Sequence, residues 1–185
     1  MALAPHRPHI TLQRIAELDE VTLARIANAR TVIRTSTMRV ITSTPVWLTV
    51  LLSVLAFFDE RSFIRGALAG GMAAGLASLM VQAVKFTVRR ARPNMAYCIA
   101  KTLDRYSFPS GHSCTAFTVA GAALVVCPAF FPVVLLAAAV VAFSRVYLGV
   151  HYPSDVLTGA AMGLVVGAFT FSLGLAGGAA SMLLG

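Results

Sequence analysis

Charge is what this sequence has least of. Only 12% of its 185 residues are Asp, Glu, Lys or Arg, against about 25% in a soluble domain. With 58% hydrophobic residues and a mean hydropathy of +0.81, that shortage excludes an ordinary soluble globule and reads as an integral membrane protein. Acids are scarcer still, 7 against 15 Lys and Arg, too few for the carboxylate clusters that hold catalytic metal ions. The three cysteines, Cys98, Cys114 and Cys127, follow no zinc-like spacing and cannot all pair, so they define neither a metal site nor a disulfide framework, nor do they fix a redox compartment. Basic residues form no extended stripe with interleaved aromatics, which argues against nucleic acid as a partner. Residues 1–9, MALAPHRPH, lack the apolar core and cleavage site of a signal peptide. No repeat of solenoid length is visible.

What is present is a series of apolar runs. Residues 10–30 place Ile10, Leu12, Ile15, Leu18, Val21, Leu23 and Ile26 among Arg, Glu and Asp, the pattern of an amphipathic helix lying on a membrane surface. Spans are expected at about 40–58, 63–84, 111–127, 131–147 and 155–176, each close to the ~20 residues that cross a bilayer. The expectation is therefore an all-α membrane bundle of about five spans plus an interfacial helix, six if the amphipathic segment also crosses. Residues 1–39 form the tail and amphipathic helix, and 40–185 the membrane-embedded domain. Glycines recur at helical spacing, Gly66 and Gly70, Gly71 and Gly75, and Gly159, Gly163 and Gly167. Such spacing lets helices approach closely in lipid. Packing within the chain is the first expectation, and a homo-oligomer through these faces the second.

Counting spans brings three polar segments to one membrane face. The first, 85-KFTVRRARP-93, supplies Lys85, Arg89, Arg90 and Arg92, which serve equally as snorkelling anchors or as phosphate-binding cations. The second, 106-YSFPSGHS-113, has Ser110 as an N-cap, Gly111 giving backbone access and His112 in the first turn of a helix whose free N–H groups favour an anion. The third, 144-SRVYLGVHYPSD-155, places Arg145 at the end of one span and His151 and Asp155 at the start of the next. A carboxylate four residues after a histidine reaches it across one turn, orienting the ring and stabilising its cation.

Three or more cations, an anion-binding helix start and two histidines with different neighbours suit hydrolysis of a phosphate ester or anhydride. One histidine attacks phosphorus, the other protonates the departing oxygen, and the cations stabilise the equatorial oxygens. Asp104 and Asp155 are the only acids on this face after the first span, so the chemistry is expected to run without metal or other cofactor.

At this point the residues resemble the type 2 phosphatidic acid phosphatase family of membrane lipid phosphatases, whose core is related to vanadium haloperoxidases. The family pattern is Lys, six residues, Arg-Pro; then Pro-Ser-Gly-His; then Ser-Arg, five residues, His, three residues, Asp. Here Lys85 precedes Arg92-Pro93, Pro109-Ser110-Gly111-His112 is intact, and Ser144-Arg145 leads to His151 and Asp155. The resemblance implies that His151 is the nucleophile forming a phosphohistidine, Asp155 its orienting partner and His112 the acid that protonates the leaving group. Lys85, Arg92, Arg145, Ser110 and the Gly111 backbone would hold the phosphate. It further implies a helical bundle, typically of six spans, needing no metal. Bacterial members act on undecaprenyl pyrophosphate, phosphatidylglycerophosphate, phosphatidate or lipid A phosphates, usually at the periplasmic or outer face of the cytoplasmic membrane. The six arginines of residues 1–39 pull the other way under the positive-inside rule. A lipid phosphotransferase would use the same site with an acceptor lipid in place of water. A non-enzymatic transporter or packing subunit has no need for two histidines on one face. Expected partners are thus a lipid phosphate and the surrounding membrane lipids.

Overall fold

The computed structural model describes residues 8–42, 60–94, 96–100 and 104–183, and every regular element among them is helical. In chain order these are α1 (Pro8–Asn28), α2 (Val32–Ile41), α3 (Glu60–Val88), α4 (Gly111–Val126), α5 (Phe131–Tyr147) and α6 (Pro153–Leu183), with a 3-10 turn at Pro128–Phe130. Three stretches are long and apolar enough to cross a bilayer: Gly70–Val88 in α3, Pro128–Tyr147 through the turn and α5, and Pro153–Leu173 in α6. Helix α4 is apolar but shorter. The molecule is an all-α membrane bundle. Of the span expected at 40–58, residues 43–59 lie outside the described residues, and α2 ends at Ile41. Helices α3 and α6 run longer than expected, and α5 spans 131–147 as its sequence implies. Large apolar side chains such as Leu79, Leu136, Leu157 and Val165 point outward, which is the arrangement lipid requires and water would penalise.

The bundle is organised around the contact between α4 and α6. A Cβ on Gly159, Gly163 or Gly167 of α6 would collide with the carbonyl oxygen of Ser110, Cys114 or Thr118 of α4. The same holds in reverse for Gly121 against Leu164. Both helices repeat at four residues, so the glycine stripe seats turn upon turn and brings backbone against backbone. Three hydrogen bonds fix this region: the Ser113 hydroxyl donates to the Val156 carbonyl at 2.8 Å, the Ser110 amide to the Asp155 carbonyl at 3.0 Å, and the Thr118 hydroxyl to its own helix at Cys114. The starts of α4 and α6 are thereby held in one register.

The amphipathic segment divides its apolar residues between two surroundings. Leu12, Ile15, Leu18 and Val21 of α1 are exposed, whereas Leu23 is fully buried against Ala142, Val146, Tyr152 and Val156. Burying a leucine contributes about 1.5–3 kcal/mol, enough to seat α1 on the ends of α5 and α6. Helix α3 stops at Val88 because Arg89 turns left-handed (φ 50°), and the chain then doubles back across the same end. Gly149 (φ 72°) makes the corresponding turn after α5, at a place where a Cβ would strike the Tyr97 carbonyl.

Candidate active site

Where α3 and α5 end and α4 and α6 begin, a cavity of about 600 Å³ opens. Lys85, Arg92, Gly111, His112, Arg145 and His151 all line it, so six of the eight residues singled out from sequence face one space. The other two, Ser110 and Asp155, are completely buried and do not line it.

Ser110 acts as the N-cap of α4, accepting from the Ser113 amide, while its own amide is bound to Asp155 as described above. At Gly111 an added Cβ would meet only Val81, at 3.7 Å, so protein packing does not demand glycine there. His112, in the first turn of α4, is exposed into the cavity.

His151 lies in the short loop between α5 and α6 and is 2% exposed. Its Nδ1 is 2.7 Å from the Ser107 carbonyl and 3.6 Å from Asp155 Oδ2. A carbonyl can only accept, so Nδ1 carries the proton and Nε2 holds the lone pair. The backbone of Ser107 thus selects the tautomer, and Asp155 stands behind the ring as a charge. Sequence spacing alone pointed to the carboxylate for both tasks. Burial lowers the His151 pKa from 6.5 to about 4; Asp155 opposes this, and Arg92 and Arg145 reinforce it. The imidazole is therefore neutral at physiological pH, as a nitrogen nucleophile must be.

The cations converge. Lys85, in the last turn of α3, and Arg92 both pair with the Asp104 carboxylate. Arg92 also donates from Nε to the Asp104 carbonyl at 3.0 Å and from Nη1 to the Val150 carbonyl at 2.6 Å. Arg145 donates from Nη1 to Thr42 at 3.1 Å, but its Nε is buried with no partner. A buried guanidinium donor without an acceptor, on a residue lining a cavity with other cations, is the kind of group an anion would satisfy.

Several residues of this site were not selected from sequence. Asp104 is one, and Arg39, Thr42 and Gln82 on the cavity wall are others. Arg90, read only as part of a basic cluster, donates to Asp155 Oδ1 at 2.8 Å, to Ser154 Oγ at 2.7 Å and to Asp19 Oδ2 at 2.7 Å. It also stacks over the Tyr152 ring at 4.1 Å. Burial works against its charge, but Asp19 and Asp155 outweigh that and raise its pKa. Asp19 of α1 is itself 3% exposed. The sequence carries no distinct signal for it, because Asp19 adjoins Glu20 in 18-LDEVTL-23 and nothing there marks which acid turns inward.

Comparison with known proteins identifies the family. The PAP2 superfamily profile matches residues 66–176. A decaprenylphosphoryl-5-phosphoribose phosphatase of Mycobacterium tuberculosis is 38% identical over 132 residues, covering 69% of this chain and 71% of that protein. An undecaprenyl-diphosphatase of Sulfolobus acidocaldarius is 32% identical over 93 residues, 48% of this chain and 45% of that one. In fold, the chain superposes on the PAP2-type phosphatidylglycerolphosphate phosphatase of Bacillus subtilis with TM-score 0.72 at 24% identity, covering 86% of each. On Aquifex aeolicus LpxE the TM-score is 0.67 at 23% identity, covering 84% of this chain and 95% of that one. By profile and by relatives that are themselves phosphatases, the chain belongs to the PAP2 superfamily and is a membrane phosphatase.

Proposed function

We propose that the protein hydrolyses the terminal phosphate of a membrane lipid through a phosphohistidine on His151. The observation that carries this reading is the His151 ring itself, protonated at Nδ1 by its contact with Ser107 and therefore nucleophilic at Nε2, in the same cavity as Lys85, Arg92 and Arg145. In the first step Nε2 bonds to phosphorus, the bond from phosphorus to the lipid oxygen breaks, and His112 gives its proton to that oxygen. In the second, water attacks phosphorus, His112 takes a proton from it, and the N–P bond breaks to release inorganic phosphate. Asp155 offsets the positive charge that the ring acquires while bonded. The unpartnered Arg145 Nε, with Lys85 and Arg92, would hold the phosphoryl oxygens, aided by the Gly111 amide and the Ser110 hydroxyl. No step calls for a metal ion.

Among substrates, polyprenyl-linked phosphates are favoured, because the two kinds of relative named above act on decaprenyl and undecaprenyl lipids by their names. Phosphatidylglycerophosphate and phosphatidate are the remaining members of the class. We place the site at the periplasmic face of a bacterial cytoplasmic membrane, in keeping with the family resemblance. The test is phosphate release by purified protein in excess chelator, comparing undecaprenyl pyrophosphate, a decaprenyl phosphoribosyl phosphate, phosphatidylglycerophosphate and phosphatidate. Chelator-resistant release led by the polyprenyl substrates is expected. Release that appears only with an acceptor lipid would mean phosphotransfer, and release abolished by chelation would end the metal-free mechanism.

A further inference from the structure

Helix α1 reaches the reaction centre through a chain of charges. Asp19 accepts from the Ser154 amide at 3.0 Å through Oδ1, and from Arg90 Nη2 at 2.7 Å through Oδ2. Arg90 in turn gives Nη1 to Asp155 Oδ1. That leaves Asp155 Oδ2 for the Tyr152 amide, at 2.9 Å, and for His151. Glu20, the next residue of α1, accepts from the Tyr152 hydroxyl at 2.8 Å. Asp19 and Asp155 are both almost wholly buried, and one guanidinium lies between the two carboxylates.

The arrangement has a consequence for His151. A guanidinium facing one carboxylate closes on both its oxygens, because the fork geometry matches. Arg90 does not do so here, since Asp19 holds its second nitrogen and Arg90 takes only Oδ1 of Asp155. We propose that Asp19 is a positioning residue for the reaction: by dividing Arg90 between two acids it keeps Asp155 Oδ2 beside His151. Without the Asp19 charge, Arg90 turns fully onto Asp155, and the carboxylate is lost to the imidazole. This rests on His151 being the nucleophile, as proposed above.

Besides Asp155, the charged and titratable groups that share the cavity with His151 are Arg39 of α2, Lys85 of α3, Arg92 and Asp104 of the following loop, His112 of α4 and Arg145 of α5. Withdrawing the Asp19 charge and neutralising Asp155 therefore leaves the ring in a more cationic setting, and its titration moves to lower pH.

The test compares full-length wild type with Asp19→Asn, Asp19→Glu and Leu23→Ala, the last loosening α1 without touching the charge chain. Turnover of undecaprenyl pyrophosphate is measured against pH, and the His151 ring is titrated by nitrogen NMR, assigned by its loss in His151→Asn. Asp19→Asn should lower kcat roughly 10- to 100-fold, as loss of a supporting residue commonly does, with KM within about twofold. The acid limb and the His151 titration should both move to lower pH, and Asp19→Glu should restore part of each. Leu23→Ala should lower the melting temperature with the limb unmoved. Wild-type kcat in Asp19→Asn, or a titration that stays in place, would overturn the proposal. If wild type releases no phosphate from any lipid, the phosphatase reading fails, and the NMR titration alone then upholds or overturns the link from Asp19 to His151.

Discussion

His151 Nδ1 stands 2.7 Å from the carbonyl of Ser107 and 3.6 Å from the carboxylate of Asp155. A neutral acceptor fixes the proton, while a full charge waits one step further back. The ring is thus held as a base without being held as a cation. Because the folded protein binds the His151 proton more weakly than the unfolded chain, stability is complete above pH 6.5 and declines as pH falls from there towards about 4. The acid limb of kcat/KM should likewise lie well below 6.5. Melting curves of wild type and His151→Gln over that range check the sign: the variant, having no proton to take up, should lose less stability on acidification.

The Asp104 carboxylate pairs with both Lys85 and Arg92, so a phosphate bound by these two cations would compete with it. Its side chain is 41% exposed, and ion pairs of that kind contribute about 0.2–1 kcal/mol each. Asp104→Asn should therefore lower KM about two- to tenfold and tighten inhibition by inorganic phosphate. A raised KM would show that Asp104 arranges the cations instead of competing for them.

Arg145 presents a buried Nε without a partner and an Nη1 tied to Thr42. Lysine keeps the charge but has no planar fork. Arg145→Lys should cost roughly 10²-fold in kcat, of the order seen when one transition-state donor is removed. Steady-state kinetics showing a change in KM alone would mean that Arg145 serves ground-state binding.

The glycines differ in what they do, although the sequence writes them alike. Gly163→Val would drive a side chain into the Cys114 carbonyl, whereas a Cβ at Gly75 meets nothing within 4 Å. The first should destabilise by at least about 1–3 kcal/mol, and Gly75→Ala should be neutral or slightly stabilising. Melting in detergent distinguishes them.

Apolar runs between strong punctuation were legible directly. Phe131–Tyr147 lies between Pro128 and the polar loop at His151, and α4 begins where Ser110 caps it. Bringing three polar segments to one end followed from alternating spans, and six of the eight selected residues do share a cavity. Two things were not legible. The group that orients His151 is a backbone carbonyl, which side-chain patterns never display. The acid that restrains Arg90 sits 71 residues before it in sequence, on a helix whose inward and outward leucines read the same. Leu18 is exposed and Leu23 fully buried because Ala142 and Val146 of α5, with Tyr152 and Val156 at the start of α6, pack on Leu23 and not on Leu18.

The α4–α6 seam bears on how the protein meets bilayers of different thickness. Two helices of 16 and 31 residues joined backbone to backbone have no side-chain cushion along which to slide. A mismatch between hydrophobic length and lipid is relieved by tilt, and here the tilt must carry both helices as one rigid blade. His112 stands in the first turn of α4 and His151 two residues before α6 begins, so a tilt of the pair carries the mouth of the site with it.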